Sequence, residues 1–298
     1  MSVTAAQVKE LRQKTGVGMM ECKKALTEVG GDVEKAILYL RERGMSRAAK
    51  KADRVTAEGL VKVLVADDGK AATALEVNCE TDFVSKNVDF NAFLDTVAKL
   101  ALENNISDVE ALKAADLNGK SVADTLTGLI STIGENLNIR RVTTLKAENG
   151  VVSGYTHMGG KIGTLVLLDG ATGDAVTELG KDLAMHAAAA APRYLHSEEV
   201  SAAEVEQEQE LGKKKLLEQG KPENLIEKIL VGQINKFYKE ICLIEQAFVK
   251  DPNYTVKKLV AEKGQGAELK AYVRFQLGEG IEKKQENFAE EVAAQLKN

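Results

Sequence analysis

The sequence predicts an α+β protein of several units: a three-helix head, a duplicated core of antiparallel sheets and helices, an inserted helical hairpin and a C-terminal helix. Three observations support this fold class. Apolar residues recur at helical spacing through the first 45 residues. A β-hairpin pattern followed by a helix occurs twice, about 90 residues apart. A charged stretch at 198–240 has the pattern of two long helices joined by a tight turn.

The composition is that of a globular protein. Of the 298 residues, 44% are hydrophobic and 29% are charged, and only three are Pro, which leaves room for long helices. The net charge of −5 argues against a nucleic-acid-binding protein and predicts no direct contact with DNA. The charge is uneven, because residues 1–54 carry 12 Lys and Arg against 7 Asp and Glu. A basic head on an acidic body suggests two surfaces with different partners.

The head is expected to span residues 1–55. Thr4 and Asp32 have the side chains of helix N-caps and precede apolar residues at helical spacing. Glycines are expected to separate the helices, and Gly44 is expected to end the third one. The stretch 45–56 then has the composition of a basic linker.

The core is expected to consist of two similar subdomains, residues 56–142 and a discontinuous second one, 143–196 with 241–278. In each copy, two strands and a turn lead into a helix that buries one face of the sheet. The predicted elements are strands at 58–65, 71–77, 149–155 and 162–168 and helices at 90–102 and 174–191. Further helices are predicted to begin at Asp108 and Ser121 and to cover 255–263, and a strand at 269–277 to join the second sheet.

The hairpin is expected at 197–240, with Ser197 as the N-cap of its first arm and a turn at 220–222. The second arm has an apolar stripe that is wide for a polar partner helix: Leu225, Ile226, Ile229, Leu230 and Ile234. Two explanations stay equally open, namely contact with another subunit, domain or partner protein, and packing within the hairpin base. A C-terminal helical module is predicted at 279–298.

Membrane, disulfide and metal chemistry are not indicated. The longest apolar stretches, Ile162–Leu168 and Leu183–Ala191, fall far short of the roughly 20 residues that span a bilayer. The N-terminus lacks a signal-peptide pattern, and no C-x-x-C pair or Cys/His cluster occurs. We therefore expect a cytoplasmic protein that has no metal site and needs no cofactor.

Covalent catalysis is also disfavoured, and no catalytic residue is predicted. The segment 154–162 resembles a P-loop, but Lys161 does not directly follow the second Gly and Ile162 replaces the required Ser or Thr. The alternation around it predicts the turn of a β-hairpin. The three His residues lie in no recognised catalytic pattern.

One loop is unusual because it contains an aromatic residue among polar ones. Phe83, one of seven Phe, lies between Asp82 and Lys86 in a segment that joins a predicted strand to a predicted helix. Thr81 or Asp82 is a candidate N-cap for that helix. From the residues alone, the Phe83 ring is either tucked into the core of the protein or offered to a partner, and the first is favoured about two to one.

Five motifs resemble those of the elongation factor Ts family, the guanine-nucleotide exchange factors of translation, and they occur in the same order. They cover nearly the whole chain: the stretch 11–26, the stretch 76–84 with Thr81-Asp82-Phe83-Val84, the stretch 133–141, His157 with 161–163, and 278–281. The resemblance implies a UBA-like head, a duplicated α+β core, an antiparallel coiled-coil insertion and a C-terminal helical module.

The resemblance also implies a partner, elongation factor Tu, whose GDP release such a protein accelerates. It assigns Phe83 the role of a wedge near the partner's Mg²⁺ site, with Thr81, Asp82 and Val84 beside it, and so favours an exposed Phe83. The other expected partner contacts are Leu11, Arg12, Met19, Met20, Lys23, Ile133, Gly134 and His157. The hairpin is a candidate for self-association.

Two rival functions belong to other classes. A protein-binding adaptor without exchange activity would be favoured by a Phe83 buried in the protein's own core. An RNA-binding accessory protein would use the basic stretch 45–56, but the net acidity and the scarcity of aromatic residues argue against it.

Overall fold

The computed structural model describes residues 3–282. Within that range the chain forms ten α-helices, two three-stranded antiparallel sheets and one two-stranded ribbon. This confirms the predicted mixture of helices and small antiparallel sheets. Most of the predicted C-terminal helix, from residue 283 onward, lies outside the described residues, and residues 279–282 are not helical.

The head consists of three helices, α1 (Ala5–Thr15), α2 (Met19–Glu28) and α3 (Val33–Lys51). Thr4 caps α1 in a reciprocal capping box with Gln7, and Asp32 caps α3, as the sequence predicts. The three helices share a small core of buried side chains: Val8, Leu11, Cys22, Ala25, Leu26, Ala36 and Leu40.

The third helix corrects the sequence prediction, because Gly44 does not end it. α3 continues to Lys51, through much of the stretch predicted to be a linker. Gly44 is buried where α3 crosses a later helix, and a Cβ atom there would lie 2.8 Å from Ser131 Oγ. The glycine therefore permits a close approach between two helices rather than a break.

The first core sheet has the strand order β1 (Glu58–Val65), β2 (Ala71–Cys79) and β3 (Leu137–Lys146). Three helices connect β2 to β3: α4 (Val88–Glu103), α5 (Val109–Ala114) and α6 (Val122–Ile133). They cover one face of the sheet with a core that includes Leu75, Phe90 and Leu112. Asp108 and Ser121 cap α5 and α6 as predicted. The third strand, β3, is absent from the sequence prediction.

The second copy repeats this arrangement. Its hairpin is β4 (Gly150–His157) and β5 (Ile162–Asp169), followed by α7 (Asp174–Ala190), which packs on both strands. The chain then forms the helical hairpin, α8 (Ala202–Glu218) and α9 (Glu223–Ile241). It returns through the ribbon β6 (Ala247–Phe248) and β7 (Asp251–Thr255), then α10 (Val256–Lys263) and β8 (Glu268–Gln276). β8 pairs with β5, so each sheet adds its last strand to the second strand of its hairpin.

The helical hairpin differs from the prediction at its start. Ser201, not Ser197, accepts the capping hydrogen bond of α8, because residues 197–199 form a separate 3₁₀ turn. The predicted apolar stripe of α9 divides between two environments. Ile226 and Ile234 are buried, whereas Leu225 and also Val231 are exposed.

The two sheets face each other, so that the core has the layer order helices, sheet, sheet, helices. Buried side chains of β1, β2, β4, β5 and β8 form the layer between the sheets. Two glycines of the second sheet lie against β1. A Cβ atom at Gly154 or Gly163 would come within 2.5 Å of a methyl group of Val63 or Val61. The second sheet therefore approaches β1 at a distance that leaves no room for a side chain.

A buried carboxylate lies at one end of this layer. Glu76 of β2 is fully buried and accepts hydrogen bonds from Arg140 (3.0 Å) and Arg141 (2.6 Å) of β3. It also accepts one from the backbone N–H of Gly278 (2.9 Å), two residues after the end of β8. Arg141 in addition lies over the Phe275 ring, 4.4 Å from its centroid. One carboxylate thus joins both sheets.

The pKa of Glu76 reflects these partners. Burial alone would raise the pKa of the carboxyl group, but the Gly278 N–H and the two arginines outweigh burial and hold the pKa below its ordinary value of 4.5. The ionised form is therefore the one that the folded protein stabilises.

A first prediction concerns the close approach of the sheets. Gly163→Ala should lower the free energy of unfolding by about 1–3 kcal/mol, because the added methyl group overlaps Val61 in a packed layer. Gly128→Ala is the matched control: Gly128 lies in α6 with open space around it, so alanine should raise stability by about 0.5–1 kcal/mol. Urea denaturation measures both. Equal stability of Gly163→Ala and the wild type would contradict the packing described above.

A second prediction concerns acid. Because the pKa of Glu76 is lower in the folded than in the unfolded protein, its contribution to stability is present above about pH 4.5 and is lost as the pH falls through the folded value. Glu76→Gln should cost about 2–4 kcal/mol at pH 7, since it removes the buried carboxylate that Arg140 and Arg141 share. The difference between variant and wild type should shrink towards pH 3. Denaturation curves from pH 3 to 7 test this, and a difference that is constant over that range would exclude it.

Candidate functional site

The loop between β2 and α4 displays an aromatic side chain. Phe83 is 78% exposed, whereas its neighbour Val84 is 5% exposed and belongs to the first core. Thr81 and Asp82 are exposed as well. The expectation that the Phe83 ring is tucked into the core is therefore wrong. Val84 anchors the loop, and the other three residues of the motif, Thr81, Asp82 and Phe83, are exposed.

The backbone of this loop is held by short-range hydrogen bonds. Val84–Lys86 form a 3₁₀ turn, and Ser85 Oγ donates to the Asp82 carbonyl at 2.6 Å. Asn87, not Thr81 or Asp82, is the N-cap of α4, because its side chain accepts from the backbone N–H groups of Asp89 and Phe90. The N-cap of α4 therefore lies six residues after Thr81 and five after Asp82, and neither of these two residues caps the helix.

A second segment supports the loop from the side. The Glu135 carboxylate accepts both the backbone N–H (2.9 Å) and the hydroxyl (2.6 Å) of Thr81. In the opposite direction, the Glu80 carboxylate accepts the backbone N–H of Asn136 at 2.6 Å. The Asn136 side chain donates to the carbonyls of Ala52 and Arg54, where the head ends.

Sequence reasoning named Ile133 and Gly134 in this segment and missed the two residues after them. Ile133 is half-buried and packs on the first core, and Gly134 ends α6 in the left-handed region at φ 88°. The only sequence signal for Glu135 and Asn136 was their position, directly after the helix-ending Gly134 and inside the same motif.

The head presents a mixed apolar and basic surface. Met19 is 54% and Met20 76% exposed, and Arg12 of α1 and Lys23 of α2 are exposed as well. Neither Met side chain therefore packs inside the head. Leu11 is a correction in the other direction, because it is fully buried and supports α1 from within.

The turn between β4 and β5 lies against β1, where the N–H of Val61 donates to the Gly160 carbonyl at 2.8 Å. A shallow cleft is lined by Leu60–Val63 of β1, by Asn91, Leu94 and Asp95 of α4, and by Thr156, Gly159 and Gly160 of the turn. Asn91 also donates to the Ser85 carbonyl of the loop at 2.9 Å. At the tip, His157 is exposed and its Nδ1 lies 3.0 Å from the Tyr155 hydroxyl. The segment that resembles a P-loop is thus a hairpin turn, as predicted.

The three Cys residues and His186 are buried. Cys22, Cys79 and Cys242 are free and buried, and burial raises the pKa of Cys79 to about 12 and that of Cys242 to about 11. Burial lowers the pKa of His186, whose Nε2 lies 3.0 Å from Gln246 Oε1. Among residues 3–282, no group of three or more His, Cys, Asp or Glu is placed to hold a metal ion, and no helix has the length and apolarity to cross a membrane.

Comparison with known proteins identifies the family. The model of the family described as elongation factor Ts matches residues 80–279. The chain is 52% identical to elongation factor Ts of Magnetococcus marinus over 300 residues, covering 98% of both chains. It is 52% identical to elongation factor Ts of Syntrophotalea carbinolica over 305 residues and the full length of both, and 48% identical to that of Clostridium botulinum over 300 residues and 99% of both. The chain therefore belongs to the elongation factor Ts family of translation elongation factors.

Proposed function

We propose that this protein is a guanine-nucleotide exchange factor that accelerates GDP release from elongation factor Tu. The observation that carries the proposal is Phe83, a large apolar side chain that is 78% exposed on a loop tied down at both ends. Exchange breaks and forms no covalent bond, so it requires no acid, base or nucleophile in this chain. The adaptor without exchange activity is less favoured, because a buried Phe83 would have supported it.

The energetic requirement for exchange is differential binding. A GTPase holds its nucleotide through phosphate contacts and a Mg²⁺ ion that demands near-octahedral geometry. An exchange factor binds the nucleotide-free GTPase more tightly than the loaded one, and by linkage it weakens the nucleotide by the same factor. The factor must therefore make contacts that only the nucleotide-free arrangement accepts.

Phe83 has the properties of such a contact. Burial of its ring in the partner would contribute roughly 1.5–3 kcal/mol. Because protein interiors are close-packed, a ring inserted between two elements of the partner displaces them instead of filling a void. Asp82, exposed next to it, would make polar contacts near the partner's Mg²⁺ site, with Thr81 and Val84 fixing the backbone between them.

The head is proposed as a second contact, with a UBA-like fold. Met19 and Met20 supply exposed apolar area, and Arg12 and Lys23 supply exposed positive charge on the same head. The basic excess of residues 1–54 would steer the head towards an acidic surface of the partner. Further contacts are proposed at Ile133, Gly134 and the His157 turn. The boundaries at residues 55, 142, 196, 240 and 278 stay proposals, as does a cytoplasmic location.

The helical hairpin is proposed as a coiled-coil insertion that mediates self-association. Its base packs within the chain through Val200, Ile241 and Cys242, together with half-buried side chains such as Phe237. Farther along, Leu211, Leu217, Leu225 and Val231 are each between 46% and 64% exposed. These four side chains are therefore not buried by the packing of the two arms against each other.

The central prediction is the effect of Phe83→Ala. Exchange should fall at least tenfold, which corresponds to about 1.4 kcal/mol of lost transition-state contact. The free energy of unfolding should change by less than about 1 kcal/mol, because the side chain is exposed. Asp82→Ala should reduce exchange less, since a polar contact at the rim contributes less than a buried anchor. Release of fluorescent GDP from elongation factor Tu and melting temperature are measured on the same preparation.

Val249→Ala is the matched control, because Val249 is also an exposed apolar residue (45%) but follows β6 in the second subdomain. It should exchange nucleotide like the wild type. If Phe83→Ala shows normal exchange, Phe83 is not the wedge. If the wild type gives no acceleration at stoichiometric amounts, the proposed function itself is wrong.

A prediction for the hairpin separates its role from exchange. Val231→Glu places a charge in the exposed apolar set and should weaken self-association more than tenfold while leaving exchange intact. Gln209→Glu, an exposed position on α8, makes the same change in charge outside that set and should leave both unchanged. Sedimentation velocity over a range of concentrations measures association. A wild type that stays monomeric at all concentrations would disprove the self-association proposal.

A further inference from the structure

The first residue of the exposed motif is held by a carboxylate from a distant part of the chain. Glu135 accepts the backbone N–H of Thr81 at 2.9 Å and its hydroxyl at 2.6 Å, across 54 positions of sequence. Hydrogen bonds to an ionised acceptor are shorter and about twice as strong as neutral ones. Both bonds go to the same residue, so they fix the position and the rotation of the chain at Thr81.

The two segments hold each other reciprocally. While Glu135 receives the N–H of Thr81, Glu80 receives the N–H of Asn136 at 2.6 Å. Each carboxylate therefore satisfies a backbone donor of the opposite segment. Such a pair resists sliding of one segment along the other, because a shift would break both sets of bonds.

Phe83 lies between this clamp and a second anchor. Thr81 is fixed two residues before it, and Val84, buried in the first core, is fixed directly after it. The Asp82 carbonyl accepts from Ser85, and the Phe83 carbonyl accepts from Lys86 N at 3.1 Å. Without Glu135, the support on the side of Val84 would remain, and Thr81 would keep only the hydrogen bond that its carbonyl accepts from Cys79 Sγ at 3.0 Å.

We propose that Glu135 is a positioning residue for nucleotide exchange: its carboxylate holds Thr81 so that the Phe83 ring is presented to the partner in one orientation. This inference rests on the proposed function and adds to it a residue that does not itself touch the nucleotide. The physical reason is pre-organisation, because a ring that must be ordered during binding loses part of the affinity that its burial provides.

The test uses Glu135→Gln in the full-length protein. The amide keeps the size of the side chain, but it has one acceptor oxygen and no charge, so at most part of the clamp to Thr81 persists. The expected result is a decrease of about three- to tenfold in kcat/KM for GDP release from elongation factor Tu, with a melting temperature close to that of the wild type. Glu110→Gln is the control, since Glu110 is exposed on α5 and bonds only locally to Lys113 at 2.8 Å among its described hydrogen bonds. It should leave exchange unchanged.

A double-mutant cycle separates positioning from general support of the fold. If Glu135 acts through Phe83, Glu135→Gln should have almost no additional effect in the Phe83→Ala background. An equal decrease in both backgrounds, or no decrease in either, would overturn the inference while the proposed function stands. A wild type that does not accelerate GDP release would overturn both.

A second variant covers the case in which Glu135→Gln folds poorly. Thr81→Val removes the hydroxyl donor from the other side of the same hydrogen bond and keeps the shape of the side chain. Its effect on exchange should likewise vanish in the Phe83→Ala background. A full effect of Thr81→Val in that background would count against positioning.

Discussion

The structure depends on the buried carboxylate of Glu76. It is fully buried between two sheets, which is costly for a charge unless every oxygen has donors. Two arginines of β3 and the N–H of Gly278 supply them, so the ion can be buried only when β2, β3 and the end of β8 are all in place. This interaction makes the two sheets one unit at the end from which the loop after β2 emerges.

The close approach of the sheets extends the same constraint along the core. Val61 and Val63 of β1 fill the space that side chains at Gly154 and Gly163 would need. The N–H of Val61 also donates to the Gly160 carbonyl at 2.8 Å, which draws the β4–β5 turn over β1. The β4–β5 turn of the second copy therefore lines a cleft together with β1 and α4 of the first copy.

The sequence was sufficient for elements whose pattern is local. The paired strands of both hairpins, the Thr4 and Asp32 caps and the three head helices follow from alternation, turn glycines and capping side chains. The strand β3 could not be predicted this way, because Arg140 and Arg141 suggest a solvated segment although they point to a buried carboxylate. The end of α3 was predicted wrongly at Gly44 for a similar reason, since the close contact that requires this glycine is with Ser131, far along the chain.

The candidate site divides in the same way between local and distant information. The residues alone favoured a buried Phe83, and only the similarity to a family favoured exposure. In the structure, Val84 is the residue of this loop that packs in the first core, and the larger Phe83 ring next to it is exposed. The backbone before the ring is held by residues far from it in sequence, Glu135 and Asn136. Backbone contacts that fix a loop around an exposed aromatic side chain order that loop before binding. Less conformational entropy is then lost on binding than with a flexible loop.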